Sequence, residues 1–355
     1  MKSNSTSLIT DLHQFDEIID VRTPAEYALD HVPGAVNFPV LSNEERVIVG
    51  TKHKQESPFE AKKLGATLIA RNIATHIEHE FSTRPKNWKP MIYCWRGGKR
   101  SGAMGHILRQ IGWDAHILQG GYKSYRSWVL EQLKELPQEF HYQVITGRTG
   151  SAKSMILEAL QDLGCQVLDL EKYANHKGSV LGGHPQTGQP GQKLFESLIV
   201  EQLKTFTNER PVFIEAESRK VGVLQVPDGL LEKIRSSSCI RIQASMSARI
   251  DFLKRDYVYM IHNPALLTEK LSHLKSLLGQ EQLDQWQKNI QDQDWDTLVR
   301  SLLELHYDRL YERSQERNFA AYQQAPEIAT DDLSELGIKA IALDIQAKFN
   351  NNYSK

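Results

Sequence analysis

Short apolar runs alternate along this chain with longer stretches of helical character, the rhythm of buried parallel strands joined by helices. Strands are predicted up to Asp20, through 90–94, 115–118, 144–146 and 166–171, and from Val212 onward. Helices are predicted from Pro24, with Thr23 as cap, and over 101–111, 125–136, 153–163 and 192–206. From Pro264 the strands stop, and three helical stretches follow over 266–278, 280–290 and 295–316. The fold class is therefore α/β, in two parts divided at the linker Leu136-Pro137-Gln138. Residues 1–137 carry a long, basic, mostly helical insertion at about 41–89, and residues 138–355 end in a helical part from about 264.

A chain of 355 residues exceeds what one hydrophobic core usually supports, which agrees with two domains. Hydrophobic residues at 40% and charged residues at 25% describe a globular protein rather than a disordered one. The formal net charge of −1 excludes nucleic-acid binding by bulk charge, so any RNA contact must come from local basic patches. Two are available: Lys52, Lys54, Lys62, Lys63 and Arg71 in the insertion, and Arg309, Arg313 and Arg317 spaced as one helical stripe. Tyr307 and Tyr311 share a helix face and can stack a base or simply pack. The polar start and the lack of an apolar run of roughly 18–20 residues predict a cytoplasmic protein without a membrane partner.

The most informative stretch is Val144-Ile145-Thr146-Gly147-Arg148-Thr149-Gly150-Ser151-Ala152-Lys153-Ser154, an apolar strand, a glycine turn and a helix start. It fits the phosphate-loop pattern G-x-x-x-x-G-K-[ST] except that Ala152 replaces the second glycine. If that position needs a positive φ, alanine costs about 1–2 kcal/mol. Unpaired N–H groups at a helix start attract phosphate, so Gly147, Arg148, Thr149, Gly150, Ser151, Lys153 and Ser154 are assigned to a phosphate site. Around them stand Asp169 at a strand's carboxyl end and the loop His176, Lys177, Gly178 and Ser179. Glu215, Glu217, Ser218 and Arg219 follow the next strand. Glu215 or Glu217 could orient a metal-bound water, or Glu217-Ser218-Arg219 could shape a substrate pocket. No metal ligand set is assigned, and the residues leave the need for Mg2+ and nucleotide binding open.

Of the three cysteines, Cys165 and Cys239 belong to apolar strands and are expected to be inert core, while a disulfide framework is not expected. Cys94 is different. It ends a strand and enters the loop Trp95-Arg96-Gly97-Gly98-Lys99-Arg100 before a helix, so loop amides and three cations should hold it as thiolate. This loop, with Asp20-Val21-Arg22, Pro24, Glu26 and His31-Val32-Pro33-Gly34-Ala35 before it, resembles the rhodanese family. The C-x5-R spacing is one residue longer than the commonest sulfurtransferase loop and equals that of rhodanese-fold phosphatases.

A rhodanese domain followed by a P-loop α/β domain, with Asp169-Leu170-Glu171-Lys172-Tyr173, Glu215-Ala216-Glu217-Ser218-Arg219 and Tyr307-Asp308-x-x-Tyr311, resembles the tRNA 2-selenouridine synthase family over nearly the whole chain. The resemblance implies a transferase that exchanges the sulfur of 2-thiouridine at the tRNA wobble position for selenium. It implies selenophosphate and geranyl diphosphate as co-substrates, an S-geranyl intermediate and no tightly bound cofactor. Cys94 would receive selenium, with Arg96, Gly97, Gly98, Lys99 and Arg100 holding the oxyanion. The phosphate loop would grip geranyl diphosphate, and the basic patches with Tyr307 and Tyr311 would bind the anticodon arm of tRNA. The selenophosphate-producing enzyme is a candidate partner. A rhodanese-fold phosphatase or sulfurtransferase with a nucleotide-binding domain is the alternative, and a non-enzymatic tRNA-binding or sulfur-carrier module is a third.

Overall fold

The computed structural model describes residues 5–178, 188–272, 274 and 279–350, without the side chains of residues 312–314 and 350. The chain forms two compact units, one of residues 1–132 with Gly191–Glu201, the other of residues 133–190 with 202–355.

In the first unit β1 (Thr6–Ser7), β2 (Glu17–Asp20), β3 (Val36–Asn37), β4 (Pro90–Tyr93) and β5 (His116–Leu118) form a sheet in the order β1-β5-β4-β2-β3. Every pairing is parallel. The central strand β4 is buried along its whole length, as an inner parallel strand must be. Helix α1 (Pro24–Leu29) begins with a capping box between Thr23 and Glu26. The insertion is helical as expected, in α2 (Asn43–Gln55) and α3 (Pro58–His76). Helix α4 (Lys99–Ile111) follows the Cys94 loop, and Ile19, Ile73, Phe81, Ile92, Met104 and Leu108 pack the core between.

A buried ion pair fixes the end of β2. Arg22 is 1% exposed, and its guanidinium donates to both carboxylate oxygens of Asp20 and to the Asp30 carbonyl. It also lies 3.9 Å from the centroid of the Tyr122 ring.

Helix α5 (Gly121–Glu139) runs longer than its sequence indicates, through the expected linker, and contains Pro137. Proline is tolerated there because only the last turn loses a hydrogen bond. The second sheet uses β6 (Tyr142–Gly147), β7 (Gln166–Leu168), β8 (Val212–Glu215), β11 (Ser238–Ala244) and β12 (Glu327–Thr330) in the order β12-β11-β6-β8-β7. It too is parallel throughout. A small antiparallel pair, β9 (Lys220–Val221) with β10 (Leu224–Gln225), stands apart.

Four sequence expectations change here. The strand expected over 166–171 stops at Leu168, because Asp169 accepts a hydrogen bond from the Lys172 N–H and caps the short helix α7 (Leu170–Ala174). The helix expected over 192–206 ends earlier, as α8 (Gln192–Leu203). The long helix expected over 295–316 is a run Trp295–Leu302, a π turn Leu303–Tyr307 and Asp308–Asn318. The helix expected over 266–278 begins at Pro264 and is described as far as Ser272, while residues 273 and 275–278 of the expected span lie outside the described residues. Helix α6 (Lys153–Asp162) packs against the C-terminal helix Glu335–Ile345, whose Ile338, Ile341, Ala342 and Ile345 complete this core.

Asp20→Asn should expose the importance of the pair: Arg22 would keep its charge in the interior without a compensating one. The first unit should lose about 3–5 kcal/mol in denaturant unfolding. A loss below about 1 kcal/mol would mean the pair contributes little.

Candidate functional site

Cys94 is delivered by β4 into a loop that curls around its sulfur. The Gly98 N–H reaches Sγ at 3.3 Å and the Ser101 hydroxyl at 3.2 Å. Gly97 has φ 62° and Gly121 φ 60°, and a Cβ on Gly121 would lie 2.3 Å from the Cys94 carbonyl. That close approach lets the Tyr122 and Lys123 N–H groups bond the Cys94 and Trp95 carbonyls at 2.8 and 3.0 Å, locking the loop.

Burial pushes the Cys94 thiol up, but hydrogen bonds from the Ser101 hydroxyl and from the Ser101, Arg96 and Gly98 amides outweigh it and leave the thiol below its ordinary range. The depression thus comes chiefly from the loop amides, as expected, and from one hydroxyl, and the three cations expected beside them are not among its leading causes. Arg96 and Lys99 are exposed on the rim, and Arg100 is held by Glu26 at 2.7 and 3.2 Å. Cys165 and Cys239 are buried and free, and burial raises both thiols, Cys239 to about 11. They fit the expected inert core.

Sequence reasoning missed Ser101, Glu26 and Arg46 here. Ser101 carried a signal as a hydroxyl at a helix start facing a cysteine. Arg46, from α2, lines the Cys94 cup and had none, because only the tertiary fold brings the insertion to the loop. A groove between α2, α3 and α4 meets the cup at Arg46, Lys99 and Arg100, and Lys62 lines it. Lys54 and Arg71 are exposed, Lys52 pairs with Glu56, and Lys63 pairs with Glu60 at 2.9 Å.

The second site is the loop after β6. Gly147 and Gly150 have φ 157° and 83°, and Ala152 has φ 56°. The left-handed conformation is therefore kept with alanine, whose methyl is buried in the sheet-helix core. Lys153 reaches back to the Gly147 carbonyl at 3.2 Å, and the Ser154 hydroxyl donates to Glu171 at 2.6 Å. Thr149, Gly150, Lys153 and Ser154 line one cleft with Glu171, Lys177, Gly178, Glu217 and Ser218. Arg148 is exposed.

Several candidates take roles other than the expected ones. Ser151 is 1% exposed and spends its hydroxyl on the Arg148 carbonyl at 2.6 Å, so it braces the turn. Asp169 caps α7. Lys177 is drawn to Asp256 at 2.5 Å, and Arg219 to Asp228 at 2.5 Å on the surface. Ser218 donates its hydroxyl to the Lys220 carbonyl at 2.5 Å. The His176 N–H bonds the Glu171 carbonyl. Ser179 and the Arg313 side chain lie outside the described residues.

The pair Tyr307 and Tyr311, expected to face tRNA, belongs to the phosphate loop. The Tyr311 hydroxyl accepts the Gly147 N–H at 2.6 Å, and its ring lies 5.7 Å from the Lys153 ammonium. Tyr307 lines the cleft. Between them, Asp308 binds both terminal nitrogens of Arg249 at 3.0 and 2.5 Å, and Arg249 donates to the Thr149 carbonyl at 2.9 Å. The π turn just before shifts the register that places these side chains. Arg309 remains exposed on the same helix.

Glu171, Glu215 and Glu217 bring ligand-type oxygens within 4.8 Å of one another, and they are the residues that could hold a cation. Sequence reasoning missed Glu171, because it was placed on a strand. Burial and the neighbouring Glu171 charge raise Glu217 to about 8, and the same causes push Glu215 well above the carboxylate range. Burial raises Glu171 as well, against the pull of Ser154 and Lys153. Gly178, at φ 60°, folds over the group so tightly that a Cβ would meet Glu171 at 2.3 Å.

Fold and sites define the class: a rhodanese domain with a cysteine cup, followed by a P-loop α/β domain with a phosphate loop. The rhodanese-like domain family matches residues 6–127, and the tRNA 2-selenouridine synthase AAA domain family matches residues 140–330. A tRNA 2-selenouridine synthase of Nitrosomonas europaea is 35% identical over 68% of this chain and 63% of its own, and that of Nitrosomonas eutropha is 36% identical over the same shares. The match thus spans less than two thirds of those two relatives. That of Sulfurovum sp. is 30% identical over 86% of this chain and 83% of its own. The chain belongs to the tRNA 2-selenouridine synthase family.

Ser101→Ala removes the side-chain donor to the Cys94 sulfur. The pH midpoint of Cys94 alkylation by iodoacetamide should rise by roughly one unit, the scale of one hydrogen bond to a charged group; an unmoved midpoint would leave the amides alone responsible. Glu217 is raised in the folded state from 4.5 to about 8, so the native state binds the extra proton between those values and stability should fall as pH rises across that window. Glu217→Gln keeps the shape without the titration, and its stability should vary less over the same range.

Proposed function

We propose that this protein makes 2-selenouridine from 2-thiouridine at the tRNA wobble position, using selenophosphate, by way of an S-geranyl intermediate formed with geranyl diphosphate. The observation that carries the reading is one chain with two anion cradles, only one of which contains a nucleophile. A reaction with two phosphorus-bearing co-substrates and one thiol step asks for that division.

In this reading the amides around Cys94 hold the oxyanion of selenophosphate, and its thiolate takes part in the selenium step. The Gly147–Ser154 loop with Lys153 holds the diphosphate of the prenyl donor, and Lys153 supplies the charge that the leaving diphosphate needs. Turning the base sulfur into a thioether makes it a better leaving group. Exposed cations, including Lys54, Arg71 and Arg309, support an RNA-facing role, since phosphate contacts need solvent-facing charge. tRNA is the partner implied by the names of the relatives. Among the described residues no helix is long and apolar enough to cross a membrane.

The phosphatase alternative is weaker on one observation. The carboxylate lining the Cys94 cup is Glu26, and although burial opposes it, two bonds from Arg100 hold Glu26 ionised below its ordinary range. It is a poor acid for protonating an alkoxide leaving group.

Cys94→Ser and Lys153→Ala separate the two sites. In tRNA from cells carrying Cys94→Ser, nucleoside mass spectrometry should find geranylated 2-thiouridine accumulating and selenouridine absent. Lys153→Ala should remove both, through a loss of about 1.5–3 kcal/mol in diphosphate binding. Normal selenouridine in the serine variant would take Cys94 out of the reaction.

A further inference from the structure

Beside the phosphate loop lies a second cavity of a different character. It encloses about 70 Å3 between α9 (Met246–Asp256), α10 (Val258–Ile261), α11 (Pro264–Ser272) and the helix Trp295–Leu302. Met260, Ile261, Leu267, Trp295, Val299 and Leu302 give it apolar walls. Its charged lining residue is Lys254, whose ammonium is held by Asp296 at 2.5 Å and Asp251 at 3.2 Å, away from a new role as an anion ligand.

The chamber is continuous with the phosphate cleft. Thr149, Leu253, Tyr257 and Tyr307 line both. Leu253 stands against the loop itself, since a Cβ on Gly150 would lie 2.9 Å from its Cδ1. A ligand whose diphosphate sits at Lys153 therefore has an apolar slot directly beyond the loop. A nucleobase placed there would leave its polar edge without partners, an unfavourable burial. A hydrocarbon chain has no such groups and gains by leaving water.

We propose that this chamber receives the end of the hydrocarbon chain of a prenyl diphosphate whose diphosphate occupies the phosphate loop, the rest of the chain running past Thr149, Leu253, Tyr257 and Tyr307, which line cleft and chamber alike. The proposal rests on the diphosphate reading of that loop, and adds to it the residues that recognise the tail. The π turn at Leu303–Tyr307 gains a purpose: it sets Leu302 and Leu303 toward the chamber and Asp308 and Tyr311 toward the loop, so one helical run serves head and tail.

The test is calorimetric titration of the full chain with inorganic diphosphate, dimethylallyl diphosphate, geranyl diphosphate and ATP. Affinity should climb with chain length, geranyl diphosphate binding roughly 100-fold tighter than inorganic diphosphate, as successive buried carbons require. ATP should gain nothing from its base. Val299→Trp fills the slot and should weaken geranyl diphosphate about tenfold while inorganic diphosphate binds as before. Ile261→Trp, from another helix, should do the same and serves if the first variant loses inorganic diphosphate through misfolding. Geranyl preference retained in both variants overturns the chamber. Wild-type protein that binds inorganic diphosphate through Lys153 with no gain from the tail also overturns it, while leaving the loop's reading intact. Protein that binds neither overturns that reading and the proposal with it.

Discussion

Both sites depend on one constraint: a central parallel strand must hand the chain to a helix through a turn that leaves backbone N–H groups aimed at one point. Such a turn needs residues in the left-handed region and something behind them that keeps the loop from relaxing. In the first unit the Gly97 turn is pinned from behind by Gly121 and the amides of Tyr122 and Lys123. In the second, Tyr311 takes the Gly147 N–H while Arg249, anchored on Asp308, holds the Thr149 carbonyl. The chemistry differs because the strand before the first loop ends in a cysteine, and the helix after the second begins with a lysine.

Ala152 shows how close the local energetics run. A left-handed alanine costs about 1–2 kcal/mol, and burying one methyl contributes about 0.8 kcal/mol. Its methyl lies in the core formed by Ile156, Leu157, Ile240 and Ile242, so burial offsets a large part of that cost. The missing glycine of the loop pattern is therefore no sign of a degraded phosphate site.

Electrostatics divides the sites in the same way. Around Cys94 the donors are neutral amides and a hydroxyl, which favour a thiolate without needing a salt-sensitive cation. Around Lys153 three carboxyl groups crowd together, and burial raises each of them. Family membership and these two loops support one division of labour, with the thiol in one unit and the phosphate loop in the other.

By itself the sequence determined the two strand-turn-helix signatures, the parallel α/β class, the cysteine loop and the phosphate-type loop, because each is a local pattern of residue types at fixed spacing. The helical insertion and the inert Cys165 and Cys239 were legible for the same reason. Only the tertiary structure decided what stands behind the loops. Glu26 and Arg46 around Cys94, and Arg249, Asp308 and Tyr311 around Gly147, come from segments far apart in sequence, whose meeting follows from sheet order and helix packing. It also moved Tyr311 from an expected RNA face to the phosphate loop, and Glu171 from a strand to a helix at the carboxylate cluster, since one capping residue, Asp169, ended the strand. Periodicity reports which face of an element is apolar; it does not say which neighbour that face will meet.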